Sequence, residues 1–138
     1  MYLIDTNVIS ELRKRKSANP NVVAFFSDAA QQQTPMFLSV ITVGELRRGV
    51  DLIRYRGDRV QVKLLEDWLN KLLLEFADFI LPFDKSAAQV WGRLRVPHPE
   101  NPLDKQIAAT ALVHGLIVVT RNQKDFMGTG VEVFNPFS

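Results

Sequence analysis

The chain has 138 residues, of which 46% are hydrophobic, with 17 basic against 15 acidic side chains and no cysteine. That length suits one domain with its own core, residues 1–138, and excludes a multidomain assembly. Without cysteine there is no disulfide, no thiolate metal centre and no thiol nucleophile, which fits a reducing compartment.

The net charge of +2 is small but unevenly spread. Arg13, Lys14, Arg15 and Lys16 outweigh Asp5 and Glu11 near the start, and Arg47, Arg48, Arg54, Arg56, Arg59 and Lys63 outweigh Asp51 and Asp58 further on. Such patches suit a phosphate-bearing partner, and equally the solvated faces of helices. Met1-Tyr2-Leu3-Ile4-Asp5 shows no basic segment leading into an apolar run. No apolar stretch approaches the roughly 20 residues of a membrane span, so a soluble, cytoplasmic protein is expected.

In chain order, Tyr2-Leu3-Ile4 predicts a short buried strand that stops at Asp5-Thr6-Asn7, a cluster suited to capping a helix through about Lys16. Asn19-Pro20 opens a second helix with an apolar face of Val22, Val23, Phe25, Phe26, Ala29 and Ala30, and Thr34-Pro35 ends it. Phe37-Leu38-Ser39-Val40 reads as a strand. A helix follows from about Thr42, carrying Val43, Leu46, Val50 and Ile53 at three-and-four spacing and broken over Arg54 to Asp58. Val60 to Ala77 is a long amphipathic helix, with Trp68 and Phe76 assigned to core or dimer interface.

Phe79-Ile80-Leu81 is a brief strand ending at Pro82, Ser86 to Leu94 a helix, and Pro97 to Pro102 a loop. Asn101 is the expected cap of a helix from Pro102 to His114, with Gly115 as its left-handed stop. Leu116-Ile117-Val118-Val119 is an unbroken apolar run of the kind buried on both faces of a parallel sheet. Gly128-Thr129-Gly130 makes a turn, and Val131 to Phe134 a last strand. The alternation predicts an α/β fold, a layered sandwich with a small central parallel sheet flanked by helices.

Ligands of such sheets gather beyond the carboxyl ends of the strands. Four places there carry polar chemistry: Asp5, Glu45 in the first turn of its helix, Asp104 in the first turn of its helix, and Asn122 with Asp125. Singly, each has a plain explanation as a cap, a first-turn acid or a surface residue. Asp104 fits it least, because Ile107, Ala108 and Ala111 share its helix face. Converging carboxylates repel, and no Lys or Arg occupies an obvious inward position to relieve them, so protonation or a cation must. Hard oxygen ligands suit Mg²⁺ or Mn²⁺ and point to phosphodiester chemistry. His98 is expected to be exposed, and His114 to complement its helix dipole.

Four segments in order resemble PIN-domain ribonucleases: Leu3-Ile4-Asp5-Thr6-Asn7-Val8-Ile9-Ser10-Glu11, Leu38 to Val50, Asp104 with Ile107-Ala108-Ala109-Thr110-Ala111, and Val119-Thr120-Arg121-Asn122 with Phe134-Asn135-Pro136. Within that family the chain is most similar to bacterial toxins of the VapC and FitB type. The resemblance implies a PIN-like three-layer sandwich and a Mg²⁺- or Mn²⁺-dependent endoribonuclease. It further implies a homodimeric toxin of a type II toxin-antitoxin pair, inhibited by an antitoxin whose C-terminal part covers the acidic pocket. Operator DNA is reached only through the antitoxin complex.

Carried over by motif, Asp5, Glu45 and Asp104 are the metal-site acids and Asn122 the fourth catalytic position. Thr6, Thr120 and Asp125 are supporting residues, and Arg47 and Arg121 candidate RNA contacts. Asn122 stands where many relatives have Asp, and its amide offers one neutral oxygen and no charge. The alternative is a PIN-like module that binds nucleic acid, or regulates DNA with its antitoxin, without cutting.

Overall fold

Short, mostly apolar strands buried on both faces set the architecture. In the computed structural model, which describes residues 1–138, β1 (Tyr2–Ile4), β2 (Met36–Ser39), β3 (Ile80–Leu81), β4 (Ile117–Val119) and β5 (Val133–Phe134) form one sheet in the order β3-β2-β1-β4-β5. Every pairing is parallel, with Ile4 beside Val119 and Val119 beside Phe134. The chain winds outward from β1 through β2 to β3, then returns to lay β4 on the other flank of β1. Strand order therefore reverses between β1 and β4, where a doubly wound sheet opens its crevice.

Six helices cover the sheet: α1 (Thr6–Glu11), α2 (Pro20–Gln31), α3 (Val40–Arg56), α4 (Arg59–Glu75), α5 (Lys85–Leu94) and α6 (Pro102–His114). Ile4, Leu38 and Val119 face one layer, packing with Val8, Val22, Leu46, Val50, Leu65 and Leu69 of α1 to α4. Trp68 and Phe76 lie half-buried against that core. Leu3 and Val118 face the other layer, against Ile107, Ala108 and Ala111 of α6 and Phe126. Three layers with a parallel sheet in the middle are what the sequence pattern predicts.

The differences from the sequence reading are local and have physical causes. The first helix stops at Glu11, and Leu12–Ser17 continues as a 3₁₀ turn interrupted at Arg15 (φ 53°, ψ −115°). Four successive cations give that segment no apolar stripe with which to prolong a packed helix. Ser39 ends β2 and caps α3, its Oγ accepting from Ile41 N at 3.0 Å, so Val40 is helical and not strand. Consequently α3 starts two residues early and Glu45 lies in its second turn. The same helix runs on through Arg54, which pairs with Asp51 and Glu66, until Gly57 (φ 88°) stops it. Asn101 precedes α6 in the left-handed region (φ 55°) and makes no side-chain cap, while Gly115 ends the helix left-handed as expected.

Thr42, fully buried on α3, has a hydroxyl with no partner. A desolvated donor without an acceptor costs free energy that a methyl does not. Thr42→Val is therefore expected to raise stability by up to about 1 kcal/mol, seen as a higher midpoint in urea denaturation.

Candidate metal centre

The acidic side chains gather at the carboxyl ends of β1 and β4. Asp5, the first residue after β1, is 4% exposed and caps α1, its Oδ1 accepting from Thr6 N at 2.8 Å. Its Oδ2 accepts from Thr120 Oγ1 at 2.8 Å and from Asn7 Nδ2 at 3.2 Å. All three donors are neutral, so they orient the carboxylate without cancelling its charge. Thr120 is the first residue after β4, and its hydroxyl also accepts from Asn122 N at 3.0 Å. Asn7 is fixed in turn, its Oδ1 accepting from Arg121 N at 3.0 Å.

Glu45 reaches the same place from α3, its Oε1 accepting from Thr6 Oγ1 at 3.1 Å. Thr6 thus couples the two acids, its amide on Asp5 and its hydroxyl on Glu45. Asp104 stands in the first turn of α6, in the opposite layer, and the charges of Asp5 and Glu45 act on its carboxyl.

The charges of these groups act on one another. Burial pushes the Asp5 carboxyl up; hydrogen bonds from Thr120, Thr6 and Asn7 partly offset this, and the Asp125 charge adds to the rise. Glu45 is likewise raised by burial first and by Asp5, against the Thr6 hydroxyl and the Arg48 charge. Asp104 is pushed up to about 6 by burial and by the charges of Asp5, Asp125 and Glu45, with no hydrogen bond to offset them. None of the three acids forms a salt bridge. Mutual repulsion that no ion pair relieves is the condition under which a divalent ion stabilises a site.

The donor set fits a hard cation. No three carboxylate or imidazole groups are close enough to form a ready-made cage. An ion here would bind through one or two carboxylates with water completing its shell, as Mg²⁺ commonly does. Asp104, which no protein donor restrains, and Asp5, which three donors aim, are the residues that would hold it.

The remaining predicted residues divide. Asp125 lies in a 3₁₀ turn (Gln123–Phe126), and its charge reaches both Asp5 and Asp104. Asn122 is exposed, and its main-chain N–H, not its amide, is what joins the network through Thr120. Arg121 lays its guanidinium over the Phe137 ring, 4.6 Å from the centroid. Arg47 is occupied elsewhere. Its two terminal nitrogens donate to Glu66 at 2.9 and 2.8 Å across the α3–α4 contact, with Asp51 at 3.6 Å. His98 is exposed, beside Glu100.

Two residues escaped the sequence reading. Asn7, two positions after Asp5, is at the spacing at which an amide reaches back to a capping carboxylate. Lys105 is 7% exposed, an inward lysine next to Asp104, yet its ammonium donates to the His98 carbonyl and neutralises none of the acids. Its position on α6, one residue after an inward acid, conceals this inward direction from periodicity.

A parallel α/β sandwich with carboxylates that form no ion pair at its switch point is an arrangement that a divalent cation would fit. The chain belongs to the PIN domain family, whose model matches residues 2–128. It is 40% identical to the Toxin FitB of Neisseria gonorrhoeae, with 99% of each chain covered. To the VapC ribonuclease Y4jK of Sinorhizobium fredii it is 34% identical, covering 99% of this chain and 98% of the relative. A solved structure of FitAB bound to an IR36 DNA fragment superposes with a TM-score of 0.85 at 36% identity, covering 100% of this chain and 96% of that one.

Proposed function

We propose that the chain is a Mg²⁺- or Mn²⁺-dependent endoribonuclease acting as the toxin of a toxin-antitoxin pair, its 138 residues forming one catalytic domain. The observation that carries this reading is that Asp5 and Glu45 are tied through Thr6 and act with Asp104 on one another's charge, each raised and none paired with a cation. Bare carboxylates repel a polyanionic substrate at this point of the surface, and a metal held by one or two of them would turn that repulsion into attraction. The similarity to a VapC ribonuclease and to Toxin FitB supports RNA as the substrate.

When bound, the ion would supply an activated water and polarise the phosphoryl oxygen. Asp5 serves as the fixed ligand, aimed by Thr120, Asn7 and the Thr6 amide. Asp104, pushed up to about 6, is ionised at neutral pH and would be the second ligand, with protons competing for it only in mild acid. Glu45, tied through Thr6, orients water at the rim, and Asp125 supplies outer negative charge that the exposed Asn122 amide does not.

The partners implied are a second copy of the chain and a cognate antitoxin. Operator DNA is contacted through the antitoxin complex, a reading supported by the solved FitAB complex with DNA. No helix is long and apolar enough to cross a membrane; the proposed site of action is the cytoplasm, where RNA is available.

The test is purified protein on a mixed single-stranded RNA pool with Mn²⁺ or Mg²⁺, with and without chelator. Chelator-sensitive cuts at reproducible positions are expected. The neutral oxygen of Asn122, where a fourth acid is common, favours a second reading as a non-cleaving module. Binding of RNA without any metal-dependent cut would establish that reading instead.

A further inference from the structure

Glu11 is an acid in an unfavourable place. It is the last residue of α1, where the helix dipole repels an anion, and it is only 7% exposed. Both of its oxygens are used. Oε1 accepts from Lys14 Nζ at 2.9 Å and Oε2 from the backbone N of Asn19 at 2.9 Å. One carboxylate therefore ties Lys14, within the 3₁₀ turn Leu12–Ser17, and the backbone just beyond it at Asn19 to the end of α1; Arg13, Lys14, Arg15 and Lys16 of that turn are all exposed. Within that turn Arg15 holds a backbone conformation that residues with side chains rarely adopt (φ 53°, ψ −115°), fastened by Ala18 N on its carbonyl at 3.0 Å. Such strain persists only where the surroundings impose it, and it clusters at functional sites.

The loop follows the short helix that Asp5 caps, and is linked through it to the acidic crevice. Asn7 and Glu11 are one turn apart on the same face of α1. Asn7 bonds Asp5 on one side and the Arg121 backbone on the other. The Arg121 charge in turn lowers the Glu11 carboxyl, after the larger effects of Lys14 and the Asn19 amide. Of the loop cations only Lys14 is in an ion pair, which leaves Arg13, Arg15 and Lys16 exposed and without an acidic partner.

We propose that Glu11 is a positioning residue that braces this loop so that Arg13, Arg15 and Lys16 meet the backbone phosphates of a single-stranded RNA. The inference rests on the ribonuclease reading for its substrate. Several unpaired cations held in a strained, clipped turn suit a polyanion of regular charge spacing.

The experiment measures kcat and KM of the full chain on a single-stranded RNA oligonucleotide across a salt series, together with metal-free binding of the same oligonucleotide by fluorescence anisotropy. Glu11→Gln removes a negative charge near a polyanion, so an acid that merely repels would on removal lower KM. Loss of the brace instead raises KM about five- to tenfold with kcat within about twofold, and weakens metal-free binding to the same degree. Arg15→Gly, whose backbone accommodates the positive φ, keeps the fold and flattens the slope of log KM against log salt by about 0.7 for one lost phosphate contact. Lys85→Met, at the exposed start of α5, is the control and changes neither. A Glu11→Gln KM that is unchanged or lowered, or an Arg15→Gly salt slope equal to wild type, overturns the proposal. So does an effect of these variants confined to inhibition by an antitoxin, which would assign the loop to a protein partner. A wild-type chain that cuts no RNA overturns the ribonuclease reading instead, and unweakened anisotropy binding by Glu11→Gln then also overturns the brace.

Discussion

Asp104→Asn is expected to lower RNA cleavage by at least ~10³-fold, about 4 kcal/mol of barrier, while leaving the metal-free protein as stable as wild type or more so at neutral pH. Asp104 accepts no protein hydrogen bond, and its carboxyl is pushed up to about 6 by burial and by Asp5, Asp125 and Glu45. An amide of the same shape removes that repulsion without leaving a neighbour unpaired. Asp5→Asn is expected to be as inactive but less benign. Its amide can still accept from Thr6 N, but the nitrogen placed at Oδ2 meets a donor, Asn7 Nδ2, which cannot flip because its oxygen holds Arg121 N. Comparing cleavage rates and denaturation midpoints of the two variants separates the metal-ligand role from the structural one. An Asp104→Asn protein that cuts RNA at the wild-type rate would falsify the site.

The strands were legible because each face of the sheet is buried, so Leu3 and Ile4, or Val118 and Val119, must both be apolar. Boundaries were less so where one residue serves two elements. Ser39 closes a strand and caps the next helix, and a strand of Phe37 to Val40 conceals that double use. The three acids were readable as positions after strands and at helix starts, and the family resemblance set them in one pocket. The neutral scaffold around Asp5 was not readable, because Thr120 reaches it from 115 positions away only through the β1–β4 register. Arg47 shows the limit from the other direction. A cation in a basic run looks available for RNA until Glu66, 19 positions on, engages both ends of its guanidinium. Charge counted along the chain cannot reveal which cations the fold has already neutralised.

Stability of the metal-free chain is expected to fall as pH rises from about 4 to 6, the reverse of the usual behaviour of paired carboxylates. The folded Asp104 carboxyl is raised from 3.8 to about 6, so between those values the folded state binds more protons than the unfolded one. Burial and repulsion thus cost stability once the group ionises. Two units correspond to at most about 3 kcal/mol, and solvent screening at this partly open site reduces it to about 1–2 kcal/mol. For a chain of this size that is roughly 3–6 °C in Tm. Asp5 and Glu45 are shifted in the same direction and add to the trend. Glu66, held at about 2 by Arg47 and Arg54, has the opposite sign, but its contribution is lost only as pH falls below the ordinary carboxylate range. A divalent ion removes the penalty because it needs the ionised acids. Mg²⁺ or Mn²⁺ at about 100 times Kd should therefore raise stability by about 2.7 kcal/mol at pH 7.5, and by much less at pH 5, where protons compete for Asp104. Calorimetry with chelator or metal across pH 4 to 8 reads both effects. In Asp104→Asn the metal-free slope between about pH 4 and 6 should flatten, and most of the metal response should disappear. A metal-free Tm that climbs through that interval, or equal metal stabilisation at both pH values, would show that these carboxylates do not share their charge as the geometry requires.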